Sequence, residues 1–305
     1  MSATSNVLMI KPICFGFNEQ TAESNTFQVQ SLNDALVQKK ALAEFNAFVN
    51  VLEANGVHVI IIDDTETPHT PDSIFPNNWI SLQDDGRIFL FPMEAKNRRL
   101  ERRVDIINYF KRNYKVREVV DLSHFEGLNK FLESTGSMIL DRINKVVYAC
   151  ISSRTDKDVL DNYCDLTEYK PITFSAVESN GLAIYHTNVM MCIAKKFAVI
   201  CLDAISNELE REMIINSLQQ SNREIIAISF GQMNNFAGNM LELKSEMGEN
   251  LLVMSERAFK SLNDNQINTL KKYCKIIFSA LPTIENIGGG SARCMIAEIY
   301  LPINP

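Results

Sequence analysis

A cysteine, a histidine and a glutamate, each beside a short polar knot, are the side chains of this sequence best placed to do chemistry. Cys294 ends the run Gly288-Gly289-Gly290-Ser291-Ala292-Arg293-Cys294. A glycine-rich turn offers backbone N–H groups and Arg293 offers positive charge, and both favour a nucleophilic thiolate. His186, in Tyr185-His186-Thr187-Asn188, follows the loop break Ser179-Asn180-Gly181 and is expected to open a strand. There it would act as general acid toward a leaving nitrogen and then as general base toward water. Glu133, in Glu133-Ser134-Thr135-Gly136-Ser137-Met138, is expected to precede a strand and to hold the imidazole, or a substrate N–H, through a charge-assisted bond. His58, in an alternating strand, and His69 and His124, in loops, have no such neighbours and read as incidental.

These groups are far apart in sequence, so a repeating scaffold must bring them together. The apolar runs recur in one order: polar knot, strand, turn, strand, helix, β-branched strand. One copy starts at Asn77-Asn78-Trp79, turns at Asp84-Asp85-Gly86, and continues through Ile88 to Phe91, a helix near 99–112, and Val116 to Val120. The others start at Thr135-Gly136-Ser137, His186-Thr187-Asn188 and Ala237-Gly238-Asn239. The last copy is split: Cys294 to Ile299 supplies its first strand and Val7 to Ile10 its second. Its helix is expected near 33–54, where Leu42, Phe45, Val49 and Leu52 recur at helical spacing, with Gly56 as the stop and 57–62 as the closing strand. A period of about 50 to 60 residues, closed through both chain ends, predicts one domain over 1–305 built as a ring of five ββαβ units. The knots then meet at the centre, gathering Asn78, Glu133, Ser137, His186, Asn188, Asn239 and Cys294.

Composition removes other classes. The 30 basic and 37 acidic residues of the 305 give a formal charge of −7, and no long run of like charge is present. A nucleic-acid partner is therefore not expected. No apolar stretch approaches the roughly 20 residues of a membrane span, and the N-terminus lacks a signal-peptide pattern, so a cytoplasmic protein is expected. The seven cysteines show no CxxC spacing, which predicts reduced thiols, no disulfide framework and no metal site.

The set Phe75-Pro76-Asn77-Asn78-Trp79, Glu133 to Met138, Ser153-Arg154-Thr155, His186-Thr187-Asn188, Ala237 to Met240 and Gly288 to Cys294 resembles the guanidine-modifying (pentein) superfamily. Within it, the resemblance is to arginine deiminase-related, amidinotransferase-type proteins, and most to the bacterial citrulline hydrolase branch. It extends over essentially the whole chain, including Phe15 to Thr21. It implies a five-bladed α/β propeller, a covalent intermediate on Cys294, His186 as acid and base, and Glu133 as partner of substrate and imidazole. It also implies carboxylate-binding arginines, matched by Arg154 and, less firmly, by Arg98, where Arg99 is the alternative. No cofactor is implied.

The arginine-using members grip a guanidinium with aspartates where this chain has Asn78 and Asn188. Asparagine both donates and accepts, which suits a neutral ureido group, whereas two buried carboxylates would be left unpaired. Asn78 and Asn188 could also be simple turn caps. The expected activity is hydrolysis of L-citrulline to L-ornithine, carbon dioxide and ammonia. Arginine or dimethylarginine hydrolysis and amidino transfer are the alternatives on the same residues. A non-catalytic ribosome-binding role fits less well, because such factors lack the Cys-His-Glu set. The substrate is thus a small amino acid. The segment 15–30 is read either as a lid or as an ordered surface loop, and charged helix faces such as 208–219 as either a homodimer surface or a simply solvated face.

Overall fold

The computed structural model describes residues 3–22, 25, 27–30 and 34–304. Each group of apolar runs forms one three-stranded sheet, giving five sheets among the described residues. β1 (Asn6–Lys11) pairs in parallel with β2 (His58–Asp63), and the helix Asp34–Ala54 connects them. β3 (Ile80–Leu82) runs antiparallel to β4 (Arg87–Leu90), which pairs in parallel with β5 (Glu118–Asp121). The same arrangement recurs in β6 (Ile139–Asp141), β7 (Val146–Cys150) and β8 (Lys170–Phe174). It recurs again in β9 (Met191–Ile193), β10 (Phe197–Ile200) and β11 (Glu224–Ala227), and in β12 (Leu241–Lys244), β13 (Asn250–Ser255) and β14 (Lys275–Ser279). β15 (Ala297–Glu298) completes the first sheet, antiparallel to β1, with Val7 opposite Glu298. The fifth unit is therefore divided between the two ends of the chain.

The middle strands are continuous apolar runs because both of their faces are covered. Residues 7–10, 147–150, 197–200 and 251–255 are all buried. Each parallel crossover carries a helix that covers one face. In Asp34–Ala54, Val37, Ala41, Phe45, Phe48 and Leu52 form the buried stripe. The chain then leaves through Gly56 in the left-handed region (φ 74°), which glycine adopts without steric cost. Asn33, at the expected start of this helix, lies outside the described residues.

Adjacent sheets touch in a circuit. Leu82 of β3 bridges Ile299 just beyond β15, and the turn 134–137 links β3 to β6. β6 lies against β9, and β9 against β12. Lys244 N at the end of β12 donates to Thr4 O at 2.9 Å, returning to the first sheet.

Several expected boundaries move. The polar knots do not start strands; three of them fold as single helical turns, Pro76–Asn78, Ser134–Ser137 and Thr187–Met190, and the strands begin afterwards. His186 caps such a turn and Glu133 precedes one. Cys294 lies in a turn before a two-residue strand, because Cys294 N bonds Ser291 O and Ile296 N bonds Arg293 O, which takes these amides out of any ladder. The helix expected near 99–112 is divided into a 3-10 turn, Arg98–Glu101, and Val104–Asn113. Arg98 pulls the buried Glu101 inward at 2.9 Å, and Arg103 is extended between the two pieces.

Candidate active site

The helical turns at the sheet edges all deliver side chains to one buried cluster. Glu133 has no exposed surface, and its Oε2 lies 2.8 Å from His186 Nε2. Its other oxygen, Oε1, accepts the Glu94 amide at 3.1 Å. Two guanidinium groups face the same carboxylate, Arg154 Nη1 at 3.6 Å and Arg98 Nη1 at 4.0 Å. Burial pushes Glu133 up, but Arg154, the bond to His186 and Arg98 outweigh it and hold the carboxyl down at about 2. His186 moves the same way for a different reason. Burial lowers it to about 4, overcoming the opposing pull of Glu133, with Arg154 and Arg98 adding to the fall. At neutral pH the pair is thus a carboxylate and a neutral imidazole. A carboxylate only accepts, so Nε2 carries the imidazole proton and Nδ1 the lone pair.

Gly136 makes this arrangement possible. A Cβ there would lie 2.9 Å from His186 Cε1 and Nδ1 and would also collide with Asn78 Nδ2. The glycine thus brings the turn, the imidazole and Asn78 into direct contact.

Cys294 is buried and receives two amide donors, Asn239 Nδ2 at 3.2 Å and Asn188 Nδ2 at 3.6 Å from Sγ. Asn239 also donates to Asn188 O at 3.1 Å and accepts from Arg293 N at 3.0 Å. Its side chain is therefore engaged by the sulfur and the cysteine turn. The charge expected from Arg293 is not delivered to the sulfur. Its guanidinium turns away to Ile296 O at 2.9 Å and to Glu298 Oε2 at 2.8 Å, where an anion neutralises it.

Asn78 Oδ1 accepts Arg98 Nη1 at 2.8 Å. A guanidinium has no acceptor, so this bond fixes the amide with its NH2 pointing the other way. That Nδ2 is buried and has no hydrogen-bond partner among the described residues. Asn188 is oriented in the opposite sense: its NH2 faces the sulfur, and the buried Oδ1 has no partner among the described residues. The two asparagines therefore present one unused donor and one unused acceptor.

Arg98 is buried, with Glu101 at 2.9 and 3.0 Å and Phe75 O at 3.2 Å. Arg99 instead faces Met93 O at 2.9 Å and Glu126 at 3.4 Å, away from Asn78 and Glu133. Arg154 also donates to Thr21 O at 3.1 Å and lies 3.3 Å from Glu94. Ser137 Oγ donates to Arg154 O at 2.7 Å and accepts from Glu133 N at 2.9 Å, so it holds the turn that carries Glu133.

Sequence reasoning missed Asp72 and Asn18. Asp72 Oδ2 accepts Asn18 Nδ2 at 2.7 Å and Thr21 Oγ1 at 3.2 Å, and its buried Oδ1 has no partner among the described residues. Described residues of the segment 15–30 touch the cluster, Thr21 O through Arg154 and Asn18 through Asp72. Asn18, Thr21 and Asn25 are buried, and Gln28 Nε2 donates to Gly288 O at 3.0 Å. Residues 23, 24 and 26 of this segment lie outside the described residues. Among the described residues no group of His, Cys, Asp and Glu has the form of a metal site, and no helix is long and apolar enough to cross a membrane.

The family model for N,N dimethylarginine dimethylhydrolase, eukaryotic, matches residues 11–301. No curated protein matches the chain by sequence. Among solved structures, apo ArgZ, an arginine dihydrolase from the ornithine-ammonia cycle in Cyanobacteria, aligns with a TM-score of 0.76 at 15% identity, covering 98% of this chain and 41% of ArgZ. The N-terminal domain of ArgZ, covalently bound to a reaction intermediate, aligns with the same score and identity over 98% of this chain and 99% of its own. A dimethylarginine dimethylaminohydrolase adduct with S-methyl-L-thiocitrulline aligns at 0.66 and 14% identity over 97% and 100%. The chain thus spans about two-fifths of full-length ArgZ and nearly all of that N-terminal domain. At these identities the likeness is one of fold.

Proposed function

The chain belongs to the N,N dimethylarginine dimethylhydrolase family, and on that premise we propose that it hydrolyses the ureido group of L-citrulline to L-ornithine, carbon dioxide and ammonia. The observation that carries this reading is the pair of buried, unpartnered groups, a donor on Asn78 in contact with Gly136 and an acceptor on Asn188, whose NH2 faces the Cys294 sulfur. A ureido group offers a carbonyl to the first and an N–H to the second. A guanidinium offers only donors and would oppose the Asn78 NH2. The substrate's α-carboxylate pairs with Arg154 and Arg98, and its ammonium with Asp72 Oδ1.

In this mechanism the neutral imidazole of His186 takes the Cys294 proton at Nδ1 as the sulfur attacks the ureido carbon. The C–N bond to the leaving nitrogen breaks, and that nitrogen receives the proton from Nδ1. Water, deprotonated by the same nitrogen, hydrolyses the thiocarbamate, and the carbamate decomposes to carbon dioxide and an amine. Glu133 keeps the Nε2 proton in place and stabilises the imidazolium when it forms. The sheet circuit supports reading the five sheets as blades of a propeller whose axis passes through this cluster.

A guanidino substrate, arginine or dimethylarginine, is the second reading. The family's description and the ArgZ neighbours favour it, because those proteins are named for guanidino compounds. Incubation with L-citrulline, L-arginine and dimethylarginine, with products identified by mass and Cys294→Ala as control, separates the two. Ornithine from citrulline, absent in the variant, is the expected result. Citrulline made from arginine, with no ornithine from citrulline, overturns the ureido reading.

A further inference from the structure

We propose that Tyr185 is a positioning residue that locks the carboxylate-binding arginine, the acid–base histidine and the nucleophile loop into one register. The inference deepens the reading above and rests on it for the roles of Arg154, His186 and Cys294. Three contacts converge on this side chain. Its hydroxyl donates to Gly289 O at 3.2 Å, in the loop that leads to Cys294. Its ring lies under the Arg154 guanidinium, 4.9 Å from centroid to Cζ. The same ring is tilted against His186 with centroids 4.8 Å apart.

The backbone repeats the connection. Ser152 Oγ donates to Tyr185 O at 2.7 Å and accepts from Arg154 N at 3.2 Å, so the two segments share one hydroxyl. The Gly289 carbonyl also receives Asn25 Nδ2, at 3.4 Å, and the neighbouring Gly288 carbonyl receives Gln28 Nε2 at 3.0 Å. Gly289 itself has φ 66°, a conformation that a side chain would strain. Burial, and then the neighbouring Cys294 sulfur, push the Tyr185 phenol up, so the hydroxyl stays a donor. A tyrosine that merely filled space would need the ring alone. Here the hydroxyl reaches the nucleophile loop while the ring serves two other groups.

The two halves of the side chain can be removed separately. Tyr185→Phe keeps the ring under Arg154 and loses only the bond to Gly289. The expected result is a fall of about tenfold in kcat with an unchanged KM. Tyr185→Leu also removes the cation–π platform, so KM rises as well, by about three- to tenfold. The rate of Cys294 alkylation by iodoacetamide, followed on the Cys294 peptide by mass, is measured in parallel and does not depend on the substrate. It should change at least threefold in Tyr185→Phe while the thermal midpoint stays within a few degrees. Wild-type kcat and wild-type alkylation in Tyr185→Phe overturn the proposal. So do equal losses in both variants that track a lowered thermal midpoint. Failure of the citrulline reading would show separately, as a wild-type enzyme inert toward citrulline whose alkylation still responds to Tyr185.

Discussion

Replacing Asn78 by aspartate should turn the enzyme from a ureido toward a guanidino substrate. Arg98 Nη1 holds Asn78 Oδ1 at 2.8 Å, and an aspartate keeps that acceptor. The side chain therefore stays in place and only the unpaired group changes, from NH2 to a carboxylate oxygen. Against the citrulline carbonyl this removes a donor and sets two acceptors together. A hydrogen bond to a buried partner, lost in this way, costs about 1.5–3 kcal/mol, or roughly ten- to a hundredfold in kcat/KM. Against a guanidinium the new oxygen gains a charge-assisted bond of similar size, so the ratio of the two specificities should shift by about 10² to 10⁴. The assay is kcat/KM for citrulline and arginine from product formation by mass spectrometry, in wild type and Asn78→Asp. An unchanged kcat/KM for citrulline would refute the reasoning, as would an equal fall on both substrates.

Two further outcomes follow from the same geometry. Gly136→Ala should place a methyl against the His186 ring and Asn78, costing about 1–3 kcal/mol of stability and most of the activity; a wild-type rate in a calorimetrically normal variant would contradict the contact. The protein should also lose stability as the pH falls. Below about 6.5 His186 is protonated in the unfolded chain, while in the folded protein it resists until about 4. Between 4.5 and about 2, Glu133 contributes in the same direction, because its folded pKa is again the lower one. Each group supplies up to about 3 kcal/mol across its window. Urea midpoints measured from pH 7 to 4 should fall in wild type and flatten in His186→Asn; parallel curves would show that His186 does not carry the effect.

The sheets were legible because the middle strands are buried on both faces and so read as unbroken apolar runs, as at Val147 to Cys150 and Leu251 to Met254. The split unit was legible from the phase of the knots. Local backbone was not: Ser134 takes φ 41°, and residues 134–137 form a helical turn that no alternation of polar and apolar residues announces. The direction of Arg293 was equally hidden, since only the fold shows Glu298 waiting 2.8 Å away. Asp72 and Asn18 are single polar residues 54 positions apart, and a pair at such a distance leaves no spacing to read. Tyr185 was visible beside His186, but its reach to Gly289 spans 104 positions.

The divided first sheet has a consequence for the order of events during folding. β15 begins three positions after Cys294, and it pairs with β1 across almost the full length of the chain. Contacts of such separation carry the largest loop-closure entropy and form late. Until they form, His186 and Glu133 can already share their bond between two neighbouring units, whereas the cysteine turn has no β1 to be held against. The reactive thiol is thus expected to be installed late, which a time course of Cys294 alkylation during refolding would check. A chain stalled short of closure would hold an acid–base pair without a nucleophile, and the appearance of Cys294 reactivity would serve as a clock for completion of the native state.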